Sequence, residues 1–180
     1  MKTKDSRLKL RPAHFEDHAL IYSIFEAMIP QYQAIMPGSF EANLESLRRI
    51  RERNLDFSAT GLTGYVVEDS RTPVGFTAVG PLNARQAYLS AFYFFPQYQK
   101  QGYGSQTLRE LENHYARLGF MEMLLLVHQK AHWARNFYRK MGYKQIAEST
   151  HAIVQYAGPG IEHLLEPQLL LMGASLKGKS

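Results

Sequence analysis

Gln99-Lys100-Gln101-Gly102-Tyr103-Gly104-Ser105 is the stretch whose reading decides the fold. It follows an apolar, aromatic run, Leu89 to Phe95, that stops at Pro96, and it leads directly into a segment of helical periodicity. A helix start leaves several backbone N–H groups without intrahelical partners, and glycines let a ligand come within hydrogen-bonding distance of them. A basic, glycine-bearing turn between a strand and a helix therefore predicts an anion site, and a pyrophosphate is the expected anion.

Working outward towards the C-terminus, Leu108, Leu111, Tyr115 and Leu118 mark one face of a helix that Gly119 closes. Met121 to Val127 is a continuous apolar run with Leu124-Leu125-Leu126 at its middle, as expected of a strand buried on both faces. Strand, helix and strand in succession make a β-α-β unit. Ala134, Phe137, Tyr138 and Met141 then fall on one helical face, Gly142 ends that helix, and Tyr143 to Ala147 begins another strand. Beyond it, Gly158-Pro159-Gly160 is a turn, Ile161 to Leu165 fits one helical turn, Gln168 to Leu176 fits a last strand, and Lys177 to Ser180 is expected to fray.

Towards the N-terminus, Gly64 to Asp69 and Val74 to Val79 read as a hairpin about Ser70-Arg71-Thr72-Pro73. Gly80 to Asn83 makes another turn, and Ala87 to Phe95 completes an antiparallel meander. Arg7 to Arg11 alternates apolar and charged residues as a half-buried strand does, with Pro12 closing it. A helix from about Phe15 follows, with Ile21, Ile24, Phe25 and Met28 as its apolar stripe and Pro30 as its expected end. Gln31 to Ser39 reads either as a flap over a pocket or as a loop packed on the core. Ser39 can cap a second helix with Phe40, Leu44, Leu47 and Ile50 buried, ending near Asn54.

With 180 residues and 45% hydrophobic content, the composition describes a single domain over residues 1–180. No cysteine is present, which excludes disulfides, thiolate metal sites and a cysteine nucleophile. No apolar run is long enough to span a membrane, and the first residues are charged, so a cytoplasmic protein is the expectation. The net charge of +5 favours anionic partners. Only Arg48 to Arg53 clusters the basic residues, and there a solvated helix face is preferred to a nucleic-acid contact. The histidines show no metal-ligand spacing, so no metal is predicted.

Three phosphate-loop patterns compete for the central turn. A dinucleotide fingerprint needs a third glycine where Thr107 stands, and a Walker loop needs a Gly-Lys-Ser/Thr that does not follow. What fits is Gln99-x-x-Gly102-x-Gly104 at a strand-to-helix junction, followed by Ala134-x-x-Phe137-Tyr138-x-x-x-Gly142-Tyr143 on a later helix. Together, in this order, the two motifs resemble those of the GNAT superfamily of acyl-CoA-dependent N-acetyltransferases, most sharply from Leu89 to Tyr143.

The resemblance implies an α/β (α+β) fold, a mixed and mainly antiparallel sheet flanked by helices around a central β-α-β cofactor unit. It implies that backbone groups of Phe92, Tyr93 and Phe94 pair with the pantetheine arm of acetyl-CoA as an added strand would. The amides of Gln101, Gly102, Tyr103, Gly104 and Ser105 would cradle the pyrophosphate, with Gln99 and Lys100 beside it. Tyr138 falls at the family's general-acid position, where it would protonate the departing thiolate; by its periodicity it is equally a core aromatic.

Two departures bear on mechanism. Ala131 stands where the family commonly has a cofactor-positioning asparagine, and no acidic residue lies between Asn83 and Gln99, where a general base is often found. His128, at the end of the buried strand, is the candidate base, with Glu148, His132 and His151 as rivals. The expected reaction is direct transfer of acetyl from acetyl-CoA to a primary amine. The segments Met28 to Phe40 and Thr150 to Pro167, where substrate walls fall in this fold, carry few acids, which favours a small amine or amino-acid-like acceptor over a polycation. The alternative reading is a non-catalytic acyl-CoA-binding sensor. A homodimer is compatible with either.

Overall fold

The computed structural model describes residues 8–35, 45 and 61–179. Apart from Glu45, the helix expected from Ser39 lies outside the described residues, as do the basic cluster Arg48 to Arg53 and Met36 to Ser39 of the expected flap.

In chain order the elements are β1 (Leu8–Pro12), a 3-10 turn (Phe15–Asp17), α1 (His18–Gln33), β2 (Thr63–Asp69), β3 (Thr72–Pro81) and β4 (Gln86–Phe94). After a 3-10 turn at Pro96–Tyr98 come α2 (Tyr103–Arg117), β5 (Glu122–His128), α3 (His132–Lys140), β6 (Lys144–Ala147), α4 (Thr150–Ala157), a 3-10 segment (Pro159–Leu164) and β7 (Leu169–Ser175). The strands form a seven-stranded mixed sheet in the order β1-β2-β3-β4-β5-β7-β6. Of its pairs, β1–β2, β5–β7 and β6–β7 are antiparallel and β4–β5 is parallel. The meander, the β-α-β unit and the final strand thus follow the order the hydrophobic periodicity demands.

Two compact units make up the chain, and the division runs through β3 and β4. The first holds the chain up to Ala78 together with Ala91 to Leu108. Its hairpin turns at Ser70 and Arg71, both with positive φ (52° and 72°), the two-residue turn geometry that matches strand twist. At its N-terminal corner Arg11 bridges Asp17 at 2.8 Å and Glu68 at 2.9 Å, and this guanidinium holds the Asp17 carboxyl below its ordinary range. One face of the sheet is covered by Ile21, Ile24, Phe25 and Met28 of α1, packed with Phe76, Ala78 and Ala91. Val67, Val74 and Phe94 form a second cluster, with Phe92, Tyr98 and Tyr103 against it.

Pro30 does not end α1, which runs on to Gln33. Proline forfeits one hydrogen bond and crowds the preceding turn, but here it is exposed, and Tyr32 in the following turn packs edge-on against Tyr93 at 6.0 Å. Tertiary packing outweighs the local penalty.

In the second unit β5 is the central strand. It pairs with β4 along Gln86–Tyr88 and with β7 along its whole length, from Glu122–Ser175 to His128–Leu169. A Cβ on Gly173 would lie 2.6 Å from both Leu124 Cδ2 and Ile146 Cδ1, so the ends of those side chains would have to shift to admit one. After Ala147 comes α4, capped by Ser149, whose hydroxyl accepts the Ala152 N–H at 3.2 Å. Ile153, Ala157 and Ile161 bury against Tyr88, Leu124 and Leu171.

Two further expectations are corrected. Leu118 is 60% exposed because α2 ends at Arg117, before the stripe reaches it. The C-terminal segment is anchored rather than frayed, with Lys179 Nζ 2.6 Å from the buried Glu112 carboxylate and the Lys179 N–H on the Leu176 carbonyl.

Candidate functional site

The predicted cofactor residues, Phe92 to Phe94 and Gln99 to Ser105, all lie in the first unit. Strand alternation sets what each presents. Phe95 N–H donates to the Val74 carbonyl at 3.1 Å, and the Ala91 carbonyl accepts the buried Thr77 hydroxyl at 2.9 Å. Backbone groups of the odd-numbered residues therefore point to β3, and those of Phe92 and Phe94 point to the opposite edge. Side chains alternate likewise. Tyr93 stacks against Phe25 at 4.6 Å on the α1 face, whereas Phe92 and Phe94 pair edge-on at 5.2 Å on the other.

Past Pro96–Tyr98 the chain makes a compact turn. Lys100 takes a left-handed backbone, φ 59°, and Gly102 follows at φ 93°. Nothing within 4 Å would meet a Cβ on Gly102, so its backbone conformation, and not space, is the reason for glycine. The first helical bond of α2 runs from Gln106 N–H to the Gly102 carbonyl at 3.1 Å, and the Ser105 hydroxyl donates to the same oxygen at 2.9 Å. The helix accordingly does not consume the amides of Tyr103, Gly104 and Ser105. No carboxylate occupies its first turn. Left-handed residues beside a helix N-terminus make an anion nest, with Lys100 exposed next to it. This donor set fits a pyrophosphate.

Two side chains brace the nest. Tyr103 hydroxyl donates to Asp69 Oδ2 at 2.5 Å, which pushes the phenol pKa up and ties the start of α2 to the β2–β3 hairpin. Gln101 Nε2 donates to the Gln97 carbonyl at 2.6 Å. Gln99 turns its amide away from the nest, donating from Nε2 to the Phe94 carbonyl at 3.1 Å with Met28 Sδ at 3.5 Å.

Tyr138 and His128 lie in the second unit. Tyr138 is buried on α3 beside Phe137 and Tyr143, with ring centroids at 5.2 and 5.5 Å. His128 is the buried last residue of β5, and its Nδ1 accepts the Lys130 N–H at 3.2 Å. Burial first, then the Lys130 charge, lowers its pKa, opposed by Glu166. The imidazole is thus neutral at pH 7, with its proton on Nε2.

Sequence reasoning missed Thr77 and Gly75. Thr77 had a signal, a lone hydroxyl within the apolar run Val74 to Val79; the demand on Gly75 is visible only once β4 lies beside it. Among the described residues, no group of histidines and acids is placed to hold a metal ion, and no helix is long and apolar enough to cross a membrane.

Comparison with known proteins agrees with the motif reading. The model of the acetyltransferase (GNAT) family matches residues 21–143, and the chain belongs to that family. Among solved structures, it is similar to the PaiA N-acetyltransferase of Thermoplasma acidophilum in complex with coenzyme A, at TM-score 0.65 and 20% identity over 93% of this chain and 98% of that one. A spermidine N-acetyltransferase chimera from Vibrio cholerae matches at TM-score 0.68 and 16% identity, covering 95% and 96%. A ribosomal protein α-N-acetyltransferase in complex with coenzyme A matches at TM-score 0.68 and 16% identity over 97% and 96%. At these identities the likeness is one of fold. No curated protein sequence matches.

Proposed function

We propose that the chain is an N-acetyltransferase that moves the acetyl group of acetyl-CoA onto a primary amine by direct attack of nitrogen on the thioester. The observation that carries this reading is the left-handed turn at Lys100 and Gly102 opening α2, with no carboxylate in the first helical turn. Acetyl-CoA supplies the acyl group already activated as a thioester. The amides of Gln101 to Ser105 hold the pyrophosphate, with the Lys100 ammonium beside it. The backbone of Phe92 to Phe94 receives the pantetheine arm on the edge turned away from β3. The Phe94 N–H polarises the acetyl oxygen; the general-acid role, protonation of the leaving sulfur, goes to Tyr138 on the strength of its motif position alone.

His128, held neutral, is the base in this proposal. Its Nδ1 takes up a proton by giving up the Lys130 N–H. The acceptor is a small amine or amino-acid-like molecule, met by the aromatic face of α1, where Tyr32 and Phe25 meet Tyr93. The chain is proposed to act as one domain in the cytoplasm.

The test is thermal stabilisation by acetyl-CoA, followed by thiol release with a panel of primary amines. Stabilisation and thiol release are expected. No stabilisation by acetyl-CoA or CoA ends the proposal, and binding without thiol release replaces it with a sensor. Tyr138→Phe is expected to lower kcat by about a hundredfold or more, the scale of general-acid catalysis, with acetyl-CoA affinity retained. An unchanged kcat assigns Tyr138 to the core alone.

A further inference from the structure

We propose that Gln99 is a positioning residue: it holds the Phe94 carbonyl so that the end of β4 presents the Phe94 N–H to the acyl arm, and it does not contact the pyrophosphate. This rests on the acetyl-CoA reading above and assigns one side chain of that site a different task.

Gln99 reaches back five residues and donates from Nε2 to the Phe94 carbonyl at 3.1 Å. Phe94 points both its N–H and its C=O to the edge turned away from β3, because Phe95 N–H is already on the Val74 carbonyl. An uncovered carbonyl at that spot would repel the acetyl oxygen that the neighbouring N–H is meant to attract. With the Gln99 amide on it, the residue presents its donor alone. The same amide lies 3.5 Å from Met28 Sδ on α1, so its orientation is fixed from two sides. The Gln99 backbone is extended, φ −69° and ψ 157°, and the left-handed residues of the nest come after it, at Lys100 and Gly102. Its side chain is committed to β4.

The test divides the ligand. Binding of acetyl-CoA is measured by calorimetry beside that of 3′-phospho-ADP, the nucleotide half of CoA with its pyrophosphate and without pantetheine. Gln99→Met keeps the shape and loses the donor; Gln99→Glu keeps the shape and sets an acceptor against the Phe94 carbonyl. The expected result for Gln99→Met is acetyl-CoA affinity lower by about tenfold, the upper end for one partly buried neutral hydrogen bond, with 3′-phospho-ADP affinity unchanged. Gln99→Glu adds a charge beside the nest that weakens both ligands, and it is expected to lose more affinity for acetyl-CoA than for 3′-phospho-ADP. A residue that only packs would show no such difference between the ligands, and an acetyl-CoA affinity in Gln99→Met equal to wild type overturns the proposal. Equal loss for both ligands in Gln99→Met, or loss confined to 3′-phospho-ADP, places Gln99 on the pyrophosphate and overturns it too. A wild-type chain that fails to bind acetyl-CoA removes the acetyl-CoA reading and this one together.

Discussion

Lys100 and His128 show how little of a residue's working state is carried by its identity. At φ 59°, Lys100 occupies a backbone region that costs a non-glycine residue about 1–2 kcal/mol. The loop accepts that cost and keeps a cation where the nest gathers its amides. His128 is chemically an ordinary imidazole, and its place at the end of β5 makes it a neutral one, through burial and Lys130 against the weaker pull of Glu166. The sign of the stability effect follows. A histidine whose pKa is depressed on folding is protonated more readily in the unfolded chain, so its contribution is intact above about pH 6.5 and is lost as pH falls through the folded value. His128→Gln is therefore expected to flatten the acid side of the stability profile, measured as urea midpoints from pH 7.5 down to 5. An unaltered slope would mean that His128 titrates as an exposed histidine. At this scale the demand for glycine at position 102 was legible, because a helix-opening anion turn requires it. The direction of the Gln99 amide was not, since an amide serves equally well as a phosphate ligand and as a brace.

Among the elements, β4 is held against β3 at close quarters. A Cβ on Gly75 would stand 2.6 Å from the Tyr93 carbonyl oxygen and 2.6 Å from Phe94 Cδ1. The first of these is backbone and cannot swing aside. Gly75→Ala is therefore expected to cost roughly 1–3 kcal/mol of stability through overpacking and to weaken acetyl-CoA binding by displacing the end of β4. Urea denaturation and calorimetry check the two effects, and a wild-type midpoint would show that β4 can shift without penalty. The β-α-β segment from β4 through α2 to β5 was legible because its periods, alternating, helical and continuously apolar, are each unmistakable. The course of α1 through Pro30 was not, because the helix is held there by Tyr32 against Tyr93. Nor was α4, whose Ser149 cap and Ile153–Ala157 spacing are too short a signal to stand without a partner surface.

For the molecule as a whole, the last residues take part in the fold. Glu112 on α2 is nearly fully buried, with 3% of its side chain exposed, and its Oε2 is met by Lys179. Burial, then the Glu112 charge, pushes the neighbouring Tyr143 phenol well above its ordinary range, so it stays protonated. Removing one partner of such a pair leaves a carboxylate without compensation. Lys179→Met is expected to cost about 1–3 kcal/mol, less than a wholly buried pair would, because the lysine is itself partly exposed. A thermal midpoint equal to that of wild type would show that solvent takes over the role of Lys179. The sequence by itself determined the strand and helix order, the anion-binding turn at Gln99 to Ser105 and the family, because periodicity and turn chemistry are local and survive in one dimension. Only the tertiary structure decided that Gln99 faces Phe94, that Gly75 admits the end of β4, that His128 is neutral and that Lys179 closes on Glu112. Each of these depends on what lies across a gap of many residues, and burial, close approach and charge pairing are properties of neighbours in space.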